Sequence, residues 1–276
     1  MLFSIISDIH LGPLDRGFIK GVQRKLSNLS EELLEEYVNK MNTLVQPDFV
    51  INLGDVIEDI SNKNIDIKNY KKGIKILQKL KMPLYHAIGN HDLRTLTEED
   101  IKNILGYNEL YYSFDYQDWT FIGLFSQIIG NHTVDITDIK TVIPQKQLKW
   151  LKNTLAKTNK KTIIFLHYSL ADQDLKDNFW FERDKVNALV TNRKEVRKII
   201  TQSGKVKAVF NGHLHWNKQT IHNNIPYYTV QSLIENFNND GLASKSYTLV
   251  TLNKNNLKVE VKGNDPAQYT HSWTDK

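Results

Sequence analysis

Apolar residues in this chain gather into short unbroken runs separated by longer stretches of helical period, the pattern of strands buried on both faces and joined by crossover helices. Five runs stand out: Leu2 to Ser7, Phe49 to Leu53, Leu84 to Ile88, Thr162 to Leu166 and Val206 to Phe210. Between the first two, Leu33, Leu34, Tyr37, Val38, Met41, Leu44 and Val45 keep helical spacing behind Ser30, an N-cap residue type. This predicts a right-handed βαβ unit. The polar stretch from Ser61 to Asn69 predicts a loop, followed by a helix that buries Ile74, Ile76, Leu77 and Leu80 and ends before Pro83. Tyr111 to Phe114 and Thr120 to Phe125 predict a hairpin turning at Tyr116-Gln117-Asp118. Pro144 opens a helix carrying Leu148, Trp150, Leu151 and Leu155, and a helix from Arg193 ends near Gly204 as a glycine C-cap. Alternation at Gln219 to Ile221, Tyr227 to Gln231, Tyr247 to Leu252 and Leu257 to Val261 predicts a second sheet rich in hairpins. The polar tail from Gly263 supports no assignment.

Composition narrows the class. With 276 residues, no internal repeat and no linker, the chain is expected to form a single domain spanning residues 1–276. Hydrophobic residues make up 40% and charged residues 24%, the balance of a soluble globular protein. No apolar run reaches the roughly 18 residues that span a bilayer, and no basic segment precedes Met1 to Ile6, so a cytoplasmic protein without a membrane partner is expected. Cysteine is absent, which excludes disulfides, thiolate nucleophiles and sulfur-ligated metals. Any metal must bind nitrogen and oxygen. The net charge of +5 is spread over helix faces without a basic block, so nucleic acid is not the favoured partner.

Chemistry is concentrated where the apolar runs stop. The first ends in Asp8-Ile9-His10, the second in Gly54-Asp55, the third in Gly89-Asn90-His91-Asp92, the fourth in His167 and the fifth in Asn211-Gly212-His213-Leu214-His215. Parallel strands bring their carboxyl ends to one edge of a sheet, where open α/β sheets bind ligands. Asp8 and His10, two apart in an extended chain, would face the same side and share one ion. The donors Asp8, His10, Asp55, Asn90, His167, His213 and His215 suffice for two cations with Asp55 as the shared carboxylate. Imidazole and carboxylate without sulfur suit manganese, iron, zinc, cobalt or nickel. The loop from Asp172 to Asp184, with Trp180 and Arg183, is a candidate for shaping a substrate pocket.

These ordered blocks, Asp8-Ile9-His10, Gly54-Asp55 with Glu58, Gly89-Asn90-His91-Asp92, His167 and Gly212-His213-Leu214-His215, resemble those of the calcineurin-like metallophosphoesterases. The resemblance implies an α/β (α+β) fold, a four-layer α-β-β-α sandwich of two mixed sheets flanked by helices. It also implies that Asp8, His10, Asp55 and His215 hold the first ion, that Asp55, Asn90, His167 and His213 hold the second, and that His91 is the proton donor beside them. Many family phosphatases read Gly-Asp-x-x-Asp-Arg-Gly at the second block. Here Glu58-Asp59-Ile60 replaces the last part and the arginine is missing. Together with the stretch from Ile225 to Glu235, this is similar to the branch of cyclic nucleotide phosphodiesterases and manganese-dependent ADP-ribose or CDP-alcohol diphosphatases.

The expected activity is therefore hydrolysis of a phosphodiester or diphosphate bond in a small nucleotide-type substrate, by a hydroxide bridging two divalent ions. His91 would protonate the leaving oxygen and Asp92 would orient His91. Asn90, Arg183 and Trp180 are the candidate substrate contacts. A nuclease of the same family, a low-specificity phosphomonoesterase and a protein phosphatase are the alternative readings.

Overall fold

The computed structural model describes residues 1–13, 18–19, 22–130, 140–239 and 241–274. Strand β1 (Leu2–Ile6) is followed by a short ribbon of β2 (Phe18–Ile19) and β3 (Val22–Gln23), helix α1 (Ser30–Lys40) with a π-helical turn (Met41–Val45), and β4 (Phe49–Asn52). Next come α2 (Lys63–Leu77), β5 (Leu84–His86), α3 (Asn90–Leu93), α4 (Glu98–Leu105), the hairpin β6 (Tyr112–Tyr116) and β7 (Trp119–Gly123), and a second small ribbon, β8 (Gln127–Ile129) with β9 (Lys140–Val142). The chain continues with α5 (Gln145–Lys157), β10 (Lys161–Leu166), α6 (Lys185–Ala188), α7 (Arg193–Ser203) and β11 (Val206–Asn211). It closes with β12 (Lys218–His222), β13 (Ile225–Thr229), β14 (Tyr247–Leu252), β15 (Asn256–Lys262) and β16 (Ala267–Ser272).

Two six-stranded mixed sheets result, in the orders β16-β15-β14-β1-β4-β5 and β12-β13-β11-β10-β7-β6. Their strands alternate between two hydrophobic environments. Phe3, Ile5, Phe49 and Ile51 of the first sheet meet Phe121, Ile163, Phe165 and Phe210 of the second in a layer between the sheets. Residues of opposite parity face helices: Ile6 and Val50 pack with Leu33, Leu34 and Val38 of α1 and Ile74 and Leu77 of α2, and Ile164 and Val209 pack with Leu148, Leu151, Val196 and Ile200 of α5 and α7. Strands apolar on both faces thus produce the α-β-β-α layering that the sequence implied, since each face has its own partner.

Three expectations require correction. The five strands that carry the candidate site do not share one sheet: β1, β4 and β5 lie parallel in the first, while β10 and β11 lie parallel in the second. The hairpin strands of the carboxyl-terminal part do not form a sheet of their own either. β14 pairs antiparallel with β1, and β13 pairs parallel with β11, so this part completes both sheets. Finally, most of the stretch from Ser61 to Asn69 is helix. Asn62 caps α2 by accepting from the Ile65 amide at 3.3 Å, and buried Asp66 accepts from the Ile60 amide at 3.0 Å and from Thr95 at 2.7 Å. Capping and a buried polar network start this helix where no apolar stripe announces it.

A candidate dinuclear metal centre

The carboxyl ends of the parallel strands from both sheets open onto the same rim, and the loops there are sharply bent. Asp8, His10, Asp55, His213 and His215 all take positive φ, between 49° and 69°. Left-handed backbone costs a non-glycine residue roughly 1–2 kcal/mol. Five such residues at one rim amount to strain held by the surrounding fold, a mark of functional loops. Asp8 and His10 are therefore gathered by a bent loop, not by the extended chain expected from their spacing. Hydrogen bonds continue the β1–β4 pairing past the strand ends: the Asp8 amide donates to Gly54 O at 3.0 Å and the Ile9 amide to Asp55 O at 2.9 Å. Gly54 and Gly89 sit back to back. A Cβ on Gly89 would lie 2.1 Å from Asp55 Oδ1, and one on Gly54, whose φ is +101°, would lie 2.4 Å from Gly89 N.

On this scaffold the seven predicted donors come together, all buried. Asp8, His10, Asp55 and His215 form one group, and Asp55, His167 and His213 a second, with ligand atoms inside each group within 4.8 Å of one another. Asp55 belongs to both. His10 Nε2 is 3.8 Å from Asp55 Oδ2, His167 Nε2 is 3.4 Å from the same oxygen, and His215 Nε2 is 3.2 Å from Asp8 Oδ1. Asn90 joins the second group through Oδ1, 3.1 Å from His167 Nε2.

The outer ring nitrogens settle how these imidazoles are turned. His10 Nδ1 lies 2.9 Å from Glu58 Oε2, His215 Nδ1 bonds Glu235, His167 Nδ1 bonds Leu53 O at 2.9 Å and His213 Nε2 bonds Asn187 O at 2.8 Å. An acceptor takes the outer N–H of His167, His213 and His215 and turns the other ring nitrogen inward, the arrangement typical of metal-bound histidine, while Glu58 stands beside the outer nitrogen of His10. Charge agrees with geometry. Burial alone would raise the Asp8 carboxyl, yet His215 beside it holds it below the usual range. Burial would also lower His167 and His215, but Asp55 pushes the first up to about 9, and Asp8 with Glu235 pushes the second up to about 9. Protons on these rings offset buried negative charge, which a divalent cation would do in their place. The donor set therefore fits two divalent ions.

His91 stands at the edge of this centre. Its amide donates to Asp55 Oδ1 at 2.8 Å, and its ring Nδ1 is 2.7 Å from Asp59 Oδ1, which Arg94 also contacts at 3.1 Å. Asp92, expected to orient His91, does something else. Its carboxylate accepts from the amides of Asp55, Val56, Ile57 and Gly89 and so clamps the turn that carries Asp55. Trp180 donates its indole N–H to Glu235 at 2.8 and 3.0 Å. Arg183 is exposed, and no contact among the described residues ties it to the cluster. Sequence reasoning missed Glu235, the partner of His215, and Lys25, whose ammonium lies 3.0 Å from His91 Nε2 and 3.2 Å from Glu58 Oε2. Glu235 was detectable, because it follows β13, whose carboxyl end opens on the same rim as that of its parallel neighbour β11. No sequence signal marks Lys25.

Residues 1–217 match the family description calcineurin-like phosphoesterase. A manganese-dependent ADP-ribose/CDP-alcohol diphosphatase from Arabidopsis thaliana is 25% identical over 257 residues, covering 77% of this chain and 79% of the relative. Among solved structures, a dimetal phosphatase from Danio rerio superposes with a TM-score of 0.78 at 15% identity, covering 99% of both chains. A purple acid phosphatase from yellow lupin (Lupinus luteus) seeds superposes with a TM-score of 0.66 at 14% identity, covering 98% of this chain and 53% of its own longer one.

Proposed function

The chain belongs to the calcineurin-like phosphoesterase family, and from that premise we propose that it cleaves the phosphodiester or diphosphate bond of a small nucleotide-type substrate. The observation that carries this reading is the shared carboxylate: Asp55 stands in two donor groups at once, with Asn90 and four histidines around it. Asp8, His10, Asp55 and His215 would hold one cation, and Asp55, Asn90, His167 and His213 the other. When bound, a pair of divalent cations neutralises phosphate oxygens and makes water acidic enough to attack near neutral pH. The protein's own part is positioning. Glu58, Glu235 and the backbone carbonyls of Leu53 and Asn187 fix the four imidazoles, and the Asp92 clamp fixes Asp55. Asp59 holds Nδ1 of His91, so Nε2, which meets the Lys25 ammonium at 3.0 Å, is the ring nitrogen left to exchange a proton with the leaving oxygen.

The likeness to a relative named as an ADP-ribose/CDP-alcohol diphosphatase supports the nucleotide-type substrate. The test is a panel of nucleotide diphosphate conjugates, cyclic nucleotides, glycerophosphodiesters, phosphomonoesters and a short DNA duplex, each with protein loaded separately with manganese, iron or zinc. The proposal expects the highest kcat/KM on a nucleotide diphosphate conjugate or nucleotide diester. A preference for glycerophosphodiesters, monoesters or DNA would overturn it.

A further inference from the structure

Lys25 is an ammonium buried at the edge of a site expected to receive cations, with 8% of the residue exposed. Burying a lysine is costly unless its charge is matched, and Glu58 supplies a match at 3.2 Å. Yet the oxygen that receives it, Oε2, is already 2.9 Å from His10 Nδ1. Among the described residues the ammonium also meets His91 Nε2 at 3.0 Å, and the Trp180 ring lies beneath it at 5.3 Å. His10, Glu58 and His91 could by themselves gather around a cation. The lysine ammonium stands at that place. An ammonium has three donors, so Lys25 can keep Glu58 and still serve a ligand beside His91.

We propose that Lys25 binds the leaving phosphate of a diphosphate substrate and thereby selects diphosphates over simple phosphodiesters. This rests on the phosphoesterase reading above, in which His91 faces the leaving oxygen. Water attacks one phosphorus, the bond from that phosphorus to the bridging oxygen breaks, and the electron pair stays on that oxygen. In a simple diester the oxygen belongs to an alkoxide, which needs a proton from His91. In a diphosphate it belongs to a phosphate monoester, whose second pKa is about 6. Such a leaving group departs as an anion at neutral pH and gains more from a fixed cation than from a proton. Lys25 lies within one hydrogen bond of His91 Nε2, so an oxygen that reaches one can reach the other.

The experiment compares wild type with Lys25→Met, Lys25→Gln and Lys25→Arg, all loaded with manganese. Substrates are ADP-ribose and the alkyl diester 2′,3′-cyclic AMP, with binding of α,β-methylene-ADP measured by calorimetry. The ratio of kcat/KM for diphosphate over diester should fall at least tenfold in Lys25→Met and Lys25→Gln and stay within about threefold of wild type in Lys25→Arg. The analogue should bind at least tenfold more weakly to the two uncharged variants. Equal losses on both substrates, or unchanged analogue binding, would reduce Lys25 to a structural counter-ion of Glu58 and overturn the proposal. If Lys25→Met does not fold, Lys25→Gln, which keeps a donor for Glu58, decides the same ratio. Absence of wild-type turnover on both substrates would instead refute the phosphoesterase reading, a result distinct from any change in the ratio.

Discussion

Replacing Asp92 by Asn separates its two conceivable roles. Oδ2 accepts from the amides of Asp55 and Gly89, each at 3.0 Å, and Oδ1 from the amides of Val56 at 2.8 Å and Ile57 at 3.3 Å. The asparagine amide has one oxygen and one NH2 group, so whichever way it is turned, two buried N–H donors face another donor. Each unsatisfied buried donor costs about 1–3 kcal/mol, so Asp92→Asn should lose roughly 2–6 kcal/mol of a total stability that is on the order of 5–15 kcal/mol. At about 2–4 °C per kcal/mol, the melting temperature should fall by roughly 4 °C or more. The turn also carries Asp55, so manganese content after gel filtration should fall as well. The assay is thermal unfolding with and without manganese, together with metal analysis. A variant that melts as wild type does and keeps its metal but loses turnover would mean that Asp92 works through His91, and would refute the clamp.

Four further outcomes follow from the same contacts. Asp55→Ala should lose both ions and all turnover, because one carboxylate serves two donor groups; full metal occupancy in that variant would defeat the shared assignment. His91→Ala should slow hydrolysis of an alkyl phosphodiester by about 10²–10⁴-fold at unchanged metal content, and Asp59→Asn, which loosens the grip on Nδ1, should act in the same direction and less; unchanged turnover in His91→Ala would remove its assigned role. Gly89→Ala should expel metal through Asp55, since the new Cβ would lie 2.1 Å from Asp55 Oδ1; wild-type manganese content would refute this. His167 and His215 are raised to about 9 by the buried carboxylates beside them, so without metal they carry protons below that pH and release them when metal binds. Apparent manganese affinity, measured by calorimetry, should therefore keep rising from pH 7 to 9, by up to about tenfold per pH unit for each proton released; a plateau above pH 7 would contradict it.

The sheets were legible where apolar runs are continuous, because Phe49 to Leu53 and Thr162 to Leu166 have the length and β-branched or aromatic composition of strands buried on both faces. Which sheet each strand enters was not legible. That depends on pairings between residues far apart in sequence, such as Ser4 with Leu249 and Phe210 with Tyr228, and no local period encodes them. Helix α2 was missed at its start for a related reason. Its first turns are fixed by Asn62, which caps the Ile65 amide, and by Asp66, whose partners Ile60 and Thr95 lie outside the helix.

The candidate ligands were legible because metal binding restricts residue type, and strand ends restrict position. The groups that hold the ligands were less so, and His91 explains why. Asp92 is its neighbour in sequence, but the two sit on the one-turn helix Asn90–Leu93, where consecutive side chains point about 100° apart. They diverge: Asp92 reaches the amides of the turn at Asp55, while His91 meets Asp59, four residues further along the same loop after β4. Lys25 arrives from the segment after β3 on the same terms. A ligand is specified by what it is, but the residue that orients it is specified by what the fold places beside it. The candidate donors could thus be picked out from the chain, while the groups that orient them, and the cation proposed to select the substrate, required three dimensions.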